Sequence, residues 1–577
     1  MADEPEPGET VAAPAVLLPR KASTEEAYRP GEQEIIEWVE GLRSDAEDAK
    51  RDLCDPDTWP DDLDAYWGDQ WPSKMPSYKP RIVVNEIKSL LLQELSDLTD
   101  SRLKIYVQKS RGSLDRDQAV EDSLQNFWSR NFCDLTVLFA ALDAMIYPLG
   151  FIQTGWLPTA QQGQGEVLFT YRDPITVFPD GDATNDDELR FMVLEDVLDI
   201  IQIRRDFPEH GWKVQPDGSY SIRADDRSRP GPRAGSQYTG PLYSQTRMTG
   251  VPGYKKARAS VLTAVVDDDD MVEEIQEIGG TLRQVAALRY PHKRLIIVAN
   301  RRVLYDDDCP FHHAPMITRV MLQPAIHSYW PQKSIVNEFG EIQATANKMD
   351  SMTAENMLRM NLGEVFADAD SGLNPKTYGG IPGMVYLIKP GSRVQKTYPN
   401  AMPREMVEGG EMFRGFIRTR MGYPAARAGV GTQGNVAAEL VETEISQAMG
   451  LTRLKGRLLY VAVQKAVEMI FARMAQFYTT PRHLPYIDQG ELRAITWQPI
   501  AKPEDYVVHV DSSSFQIRSK TMMQRIFFAL ARMNKIPTGR LLKMLEIADA
   551  DQITAELKEE LVLQAAANQA RRARGRR

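Results

Sequence analysis

One stretch, Ile335 to Tyr478, constrains this 577-residue chain more than any other. Apolar residues at Ile335, Phe339, Ile342, Ala346 and Met349 recur in steps of four and three, which places them on one stripe of a helix. Glu338, Glu341, Lys348, Asp350 and Glu355 fall off that stripe. From Leu362 to Tyr398 the character changes. Gly363, Gly372, Pro375, Gly379, Gly380, Pro382 and Gly383 precede the run Met384-Val385-Tyr386-Leu387-Ile388, which predicts a small β-rich insert. Pro403 opens a second helix, a favoured first-turn position, and Gly422-Tyr423-Pro424 stops it. A loop from Pro424 to Asn435 follows. Val436 to Tyr478 then reads as one helix of roughly 60 Å at 1.5 Å per residue, with Gly450 and Gly456 as candidate bends.

Composition sets the outer bounds. The length suggests about three to four domain-sized units. Apolar content of 42% and charged content of 26% suit a folded, water-exposed protein. No apolar run approaches the roughly 20 residues that span a bilayer, so no membrane association is expected. Met1 to Glu9 is acidic and lacks the apolar core of a secretory signal. Cys54, Cys133 and Cys309 lie far apart, which suits structural thiols in a reducing compartment rather than a disulfide framework. The net charge of -11 argues against a protein that wraps nucleic acid with a basic surface. It is compatible with a channel that DNA slides through, and equally with a cytosolic enzyme.

Along the chain, residues 1–28 form a Pro-, Ala- and Glu-rich arm expected to be disordered. Glu32 to Leu53 reads as a helix, Asp55 to Tyr78 as an aromatic-bearing loop, Arg81 to Leu98 as a strong helix, Arg102 to Gln108 as a strand, and Leu124 to Met145 as one helix. From Pro148 the pattern turns β. Gly150 to Trp156 and Glu166 to Tyr171 predict paired strands around a Gln/Gly turn. Arg190 to Asp196 predicts a strand and Val197 to Phe207 a short helix, and residues 215–259 read as a mobile insertion. Strands return at Val261–Val266, Val272–Ile278, Thr281–Tyr290 and Leu295–Val298, and later at Leu492–Trp497 and Tyr506–Val510. Arg518 to Ala570 predicts helices, and the tail from Arg571 holds five arginines and no acid.

The motifs with the residue types of catalysis or ligand binding are weak. Gly429-Val430-Gly431-Thr432-Gln433-Gly434 fits GxGxxG, but a helix precedes it where a dinucleotide site needs a strand. Asn435-Val436 stands where a phosphate loop needs Lys and Ser/Thr, so a flexible loop capped by Asn435 is the better reading. Asp267 to Asp270 reads as a solvated acidic turn, since neighbouring side chains point apart. His312-His313 has no facing carboxylate motif and is assigned to the Cys309-Pro310-Phe311 turn. No metal, cofactor or catalytic residue is expected, and no ATPase signature occurs. Met349, Met352, Met357 and Met360 are read as core, with a ring interface that shifts as the weaker alternative.

The order helix, small insert, helix, glycine-rich loop, long helix resembles the core of phage portal proteins, of the short-tailed-phage type. Tyr290-Pro291-His292-Lys293-Arg294 to Val303-Leu304-Tyr305-Asp306 resembles that family's strand pair before the stem, Trp330-Pro331-Gln332-Lys333-Ser334 its lead into the first stem helix, and Asp173-Pro174-Ile175-Thr176-Val177-Phe178-Pro179-Asp180 a wing motif. The resemblance implies an α+β, mainly α portal fold. Its parts would be a wing (29–334), a first stem helix (335–361), a clip (362–400), a second stem helix (401–423), a tunnel loop (424–435), a long kinked helix with wing strands (436–512), and a helical crown with a basic tail (513–577). It implies a structural, non-enzymatic subunit of a dodecameric ring at one capsid vertex of the virion, assembled in the host cytoplasm. The partners implied are double-stranded DNA passing non-specifically through the channel, the terminase large subunit, tail adaptor proteins, and the major capsid and scaffolding proteins. Lys376, Tyr378, Tyr386, Lys389 and Arg393 would be the clip's contacts to motor and adaptor. Arg427, Thr432, Gln433 and Asn435 would line the channel, with Arg427 either touching phosphates or pairing with Glu439 or Glu442. The other readings are a cytosolic enzyme without a short motif and another large tail or baseplate component.

Overall fold

A computed structural model describes residues 31–71, 76, 79–99, 103–109, 117–216, 257–278, 281–313, 315–362, 364–373, 387–398, 402–423, 449–488, 491–500 and 502–511, with 532, 533 and 554. The protein is mixed α/β, with about 48% helix and 22% strand. In chain order its first half runs α1 (Glu32–Cys54), α2 (Trp59–Trp67), α3 (Glu86–Thr99), β1 (Ile105–Lys109), α4 (Gln118–Arg130), α5 (Cys133–Ile146), β2 (Gly150–Leu157), β3 (Glu166–Arg172), β4 (Val177–Pro179), β5 (Phe191–Asp199) and α6 (Ile200–Asp206). Next come β6 (Arg258–Val266), β7 (Met271–Ile278), β8 (Thr281–Leu288), β9 (Arg294–Ala299), β10 (Val303–Asp308) and β11 (Ile317–Val320). The rest is α7 (Ile335–Leu362), β12 (Glu364–Ala367), β13 (Val394–Thr397), α8 (Arg404–Arg420), α9 (Gly450–Phe477), β14 (Arg482–Asp488), β15 (Glu491–Trp497) and β16 (Tyr506–Val510).

The largest sheet is antiparallel, ordered β10-β9-β6-β5-β4. Strand alternation gives it two buried faces. Val193, Leu262, Ala264, Ile296 and Val298 meet Ile36, Val39 and Ala46 of α1 on one side. Leu194, Val261, Leu295 and Ile297 join the main core on the other. That main core wraps α3, α4 and α5, the three-stranded sheet β11-β2-β3, the start of α7 and most of α9. Gly150 is fixed by close approach, since a Cβ there would lie 1.9 Å from the Ala140 carbonyl oxygen of α5. Lys50 of α1 pins the two cores together. Its Nζ donates to the carbonyls of Pro174, Ile175 and Val177 at 2.7, 3.2 and 3.1 Å, and sits 4.8 Å from the ring centres of Trp59, Phe178 and Trp330. The three cysteines are free and buried. Among the described residues no helix is long and apolar enough to cross a membrane.

The structure corrects several expected elements. Asp55–Tyr78 is not all loop, because Trp59–Trp67 forms a helix that buries Trp59 and Tyr66. The expected helix Arg81–Leu98 begins only at Glu86, and residues 81–85 run extended. Leu124–Met145 is two helices. Phe132 takes a left-handed conformation (φ 50°) between them, and Trp128 Nε1 donates across the break to Asp134 at 2.6 Å. Strand β5 runs on to Asp199, whose carboxylate caps the Ile201 amide and delays the next helix to Ile200. β15 pairs with β14, a strand not expected from the pattern, while β16 pairs with β1 some four hundred residues upstream. The N-terminal arm, most of the 215–259 insertion and nearly all of the predicted crown lie outside the described residues.

Candidate functional site

The site is built on α7 and α8. Ser334 starts α7: its hydroxyl accepts from the Asn337 amide at 2.9 Å and donates to buried Asp62 at 3.0 Å. Ile335, Val336, Phe339 and Ala346 enter the core. A second, polar stripe holds the extended chain 81–85. Gln343 Oε1 accepts from the Glu86 amide at 3.1 Å, Asn347 Oδ1 from Val84 at 3.1 Å, and Ser351 Oγ from Ile82 at 3.0 Å. The register is geometric. Four helical residues rise about 6 Å, close to the roughly 6.6 Å of two extended residues, so every second amide meets the next side chain of an i, i+4, i+8 row. Gln343 Nε2 also donates back to the Val84 carbonyl at 2.5 Å. The helix thus supplies what a neighbouring strand would.

Helix α8 lies against α7 through a glycine pair. A Cβ at Gly409 would lie 2.5 Å from the Met349 sulfur, and one at Gly410 would lie 2.1 Å from Asp350 Oδ1. Arg414 then reaches Asp350 at 2.6 Å and Glu411 at 3.0 Å. Arg418 grips Glu86 with two bonds, 2.6 and 3.1 Å, and also reaches Glu411. The direct bond to Glu86 holds the Arg418 guanidinium above its ordinary pKa. The helix ends in the expected place: Gly422 has φ 79°, and the Tyr423 and Gly422 amides return to the carbonyls of Arg418 and Thr419. Tyr423 is fully buried and donates to Asp97 at 2.9 Å.

Beyond Ser351 the pair of helices leaves the core. Met352, Met357, Leu358 and Met360 on α7, and Met406 and Val407 on α8, are exposed there, and nearer the root Met412 and Phe416 of α8 are exposed as well. This corrects the core reading of the methionines, of which only Met349 is covered, by α8. At the far end β12 and β13 pair from Glu364↔Thr397 to Ala367↔Val394. Asp368 extends this pairing at the end away from the helices by accepting from the Arg393 amide at 2.7 Å. Lys389 and Arg393 are exposed, and among the described residues neither side chain has an ion-pair partner. Leu387 and Ile388 lie in coil, not in the expected strand, and Leu387 is 90% exposed. Lys376, Tyr378 and Tyr386 lie outside the described residues, as do Arg427, Thr432, Gln433 and Asn435 of the expected channel loop.

Two sequence readings of charged clusters resolve differently. Asp267, Asp268 and Asp270 each take a separate cation, Lys293, Arg294 and Arg289, as a turn between strands should. His312, by contrast, does face a carboxylate. The β9–β10 hairpin brings His292 and Asp308 to it, across a spacing no short motif displays. Compared with protein-family models and with curated proteins, the chain matches none of them.

Proposed function

We propose that this chain is a portal subunit: one member of a closed, dodecameric ring that forms a DNA channel at one capsid vertex, with the α7–α8 pair as its stem and the β12–β13 hairpin as its clip. The observation that carries this reading is the contrast along that pair. Its root is locked by buried hydrogen bonds and paired arginines, whereas its outer half leaves Met352, Met357, Leu358, Met360, Met406 and Val407 exposed, and Met412 and Phe416 continue the exposed apolar face along α8. An apolar surface of that extent asks for a protein partner, and a further copy of the same chain in a ring covers both helices at once. The acidic balance of the chain suits a conduit that repels DNA rather than holding it. In this reading the exposed hairpin with Lys389 and Arg393 receives the terminase large subunit and then the tail adaptors, and the wing meets capsid and scaffolding proteins. The test is the particle's mass in solution together with its outline by electron microscopy. A ring with a central hole is expected, and a stable monomer at assembly concentrations overturns the proposal.

A further inference from the structure

We infer that His292, Asp308 and His312 form a binding site for one divalent transition-metal ion, of the zinc or cobalt class, which ties the edge of the five-stranded sheet to α9. The three side chains come from three separate segments: the turn before β9, the end of β10, and the link that follows. They offer two imidazole nitrogens and a carboxylate oxygen that all lie within 4.8 Å of one another, and all three residues are partly buried. Imidazole with carboxylate is a donor set that zinc, cobalt and nickel accept, while magnesium and calcium prefer oxygen alone.

The backbone around the cluster is already fixed. Asp308 Oδ1 accepts from the His292 amide at 3.0 Å and Oδ2 lies 2.8 Å from His292 Nδ1. The Cys309 amide bonds the Lys293 carbonyl at 2.8 Å and closes the turn. On the other side, the His312 amide donates to Gln476 and its carbonyl accepts from Arg473 at 2.9 Å, both residues of α9. The His292 and His312 rings are stacked, with centres 3.7 Å apart and planes 12° from parallel. Two imidazolium ions would repel in that stack.

Coordination requires a local rearrangement. A tetrahedral ion with bonds of about 2.0–2.1 Å keeps its ligands roughly 3.3 Å apart, so the wider ligand separations close and the stacked rings turn out of parallel. Both are side-chain rotations of partly exposed groups and leave the backbone in place. Asp308 can remain on His292 as the partner that orients a ligating ring, or bind the ion itself.

The full chain, stripped with chelator, is titrated with cobalt(II) and zinc(II), with magnesium(II) as control. One cobalt per chain is expected, with visible d–d bands that zinc abolishes by competition, and no response to magnesium. His312→Gln and His292→Gln, checked for native circular dichroism, should each weaken cobalt binding at least tenfold, while His313→Gln should not. Asp308→Asn serves where either histidine variant fails to fold. Absence of stoichiometric binding, or binding that survives the His292→Gln/His312→Gln double variant, overturns the inference.

Discussion

Replacing Asn347 tests whether a helix can stand in for a strand. Its side chain accepts from the Val84 amide at 3.1 Å and from Gln343 Nε2 at 3.1 Å, and donates to Gln70 Oε1. It is 1% exposed, so water does not replace what is lost. At about 1 kcal/mol net for each hydrogen bond, Asn347→Ala loses about 3 kcal/mol. Alanine returns roughly 0.5 kcal/mol through helix propensity, leaving about 2.5 kcal/mol. Ser351→Ala, at the end of the same row, loses a single bond to a half-buried amide. By the same arithmetic it nets only about 0.5 kcal/mol. Urea titration of both variants should therefore show a large and a small shift. Hydrogen exchange gives the local reading: the amides of Ile82, Val84 and Glu86 should be protected in the parent, and Val84 should lose its protection first in Asn347→Ala. Equal shifts for the two variants, or unprotected amides in the parent, would show that the row of side chains does not hold this segment.

Three further outcomes follow from the geometry. Burial pulls the Lys50 amine down to about 8 from an ordinary 10.5, so between those values the unfolded chain binds a proton that the folded chain gives up. Stability of the parent relative to Lys50→Met should then rise by roughly 1 kcal/mol from about pH 7.5 to about pH 9, and a gap that stays flat or narrows in denaturation curves contradicts this assignment. Met412 and Phe416 share one exposed face of α8; the Met412→Glu/Phe416→Glu variant should stay folded by circular dichroism but sediment as a smaller species, and an unchanged mass sinks the interface reading. Lys389→Glu/Arg393→Glu should leave assembly intact and abolish capture of the packaging motor or tail adaptor in a pull-down, whereas parental capture would remove these side chains from the contact.

What could be read from the sequence followed the reach of the interactions. The periodicities of α1, α7 and α8, the strands β2 and β3, and the Gly422 helix stop rest on contacts within a few residues, and they lie where the patterns put them. The misplaced boundaries depend on distant partners. Nothing local to Arg81–Asn85 announces that its amides will be taken by residues 343, 347 and 351, so its apolar spacing reads as helix. The Phe132 break has no Gly or Pro to mark it, and the turn is closed by a tryptophan-to-carboxylate bond across it. The methionines on α7 carry the periodicity of a core stripe, and that no described residue covers Met352, Met357 and Met360 shows only when the fold is assembled. Of the candidate site residues, Lys389 and Arg393 sit at an exposed tip, and the His292–Asp308–His312 cluster needed the β9–β10 pairing to be seen at all.

The distribution of charge on α7 and α8 separates the work of holding from the work of binding. Arg359, Arg404, Arg414 and Arg418 are all engaged, with Glu355, Glu408, Asp350 and Glu86. The exposed pairs one turn apart contribute little, but Arg414–Asp350 and Arg418–Glu86 are partly shielded and bridge separate elements. Lys455 of α9 adds a third tie, 2.8 Å from Glu94 on α3, whose side chain is fully buried. These bonds fix α8 to α7 and to α3, and α9 to α3, so force applied at the tip is carried into the core rather than absorbed by a hinge at the root. On the hairpin Lys389 and Arg393 are left to solvent, with Lys396 resting 5.1 Å from the Tyr398 ring centre, while Lys348 of α7 and Arg420 of α8 are also exposed. In a chain of net charge -11, the two exposed cations Lys389 and Arg393 close together on one small hairpin suit an acidic partner there. The apolar flanks of α7 and α8 are then left for a different contact, between neighbouring copies.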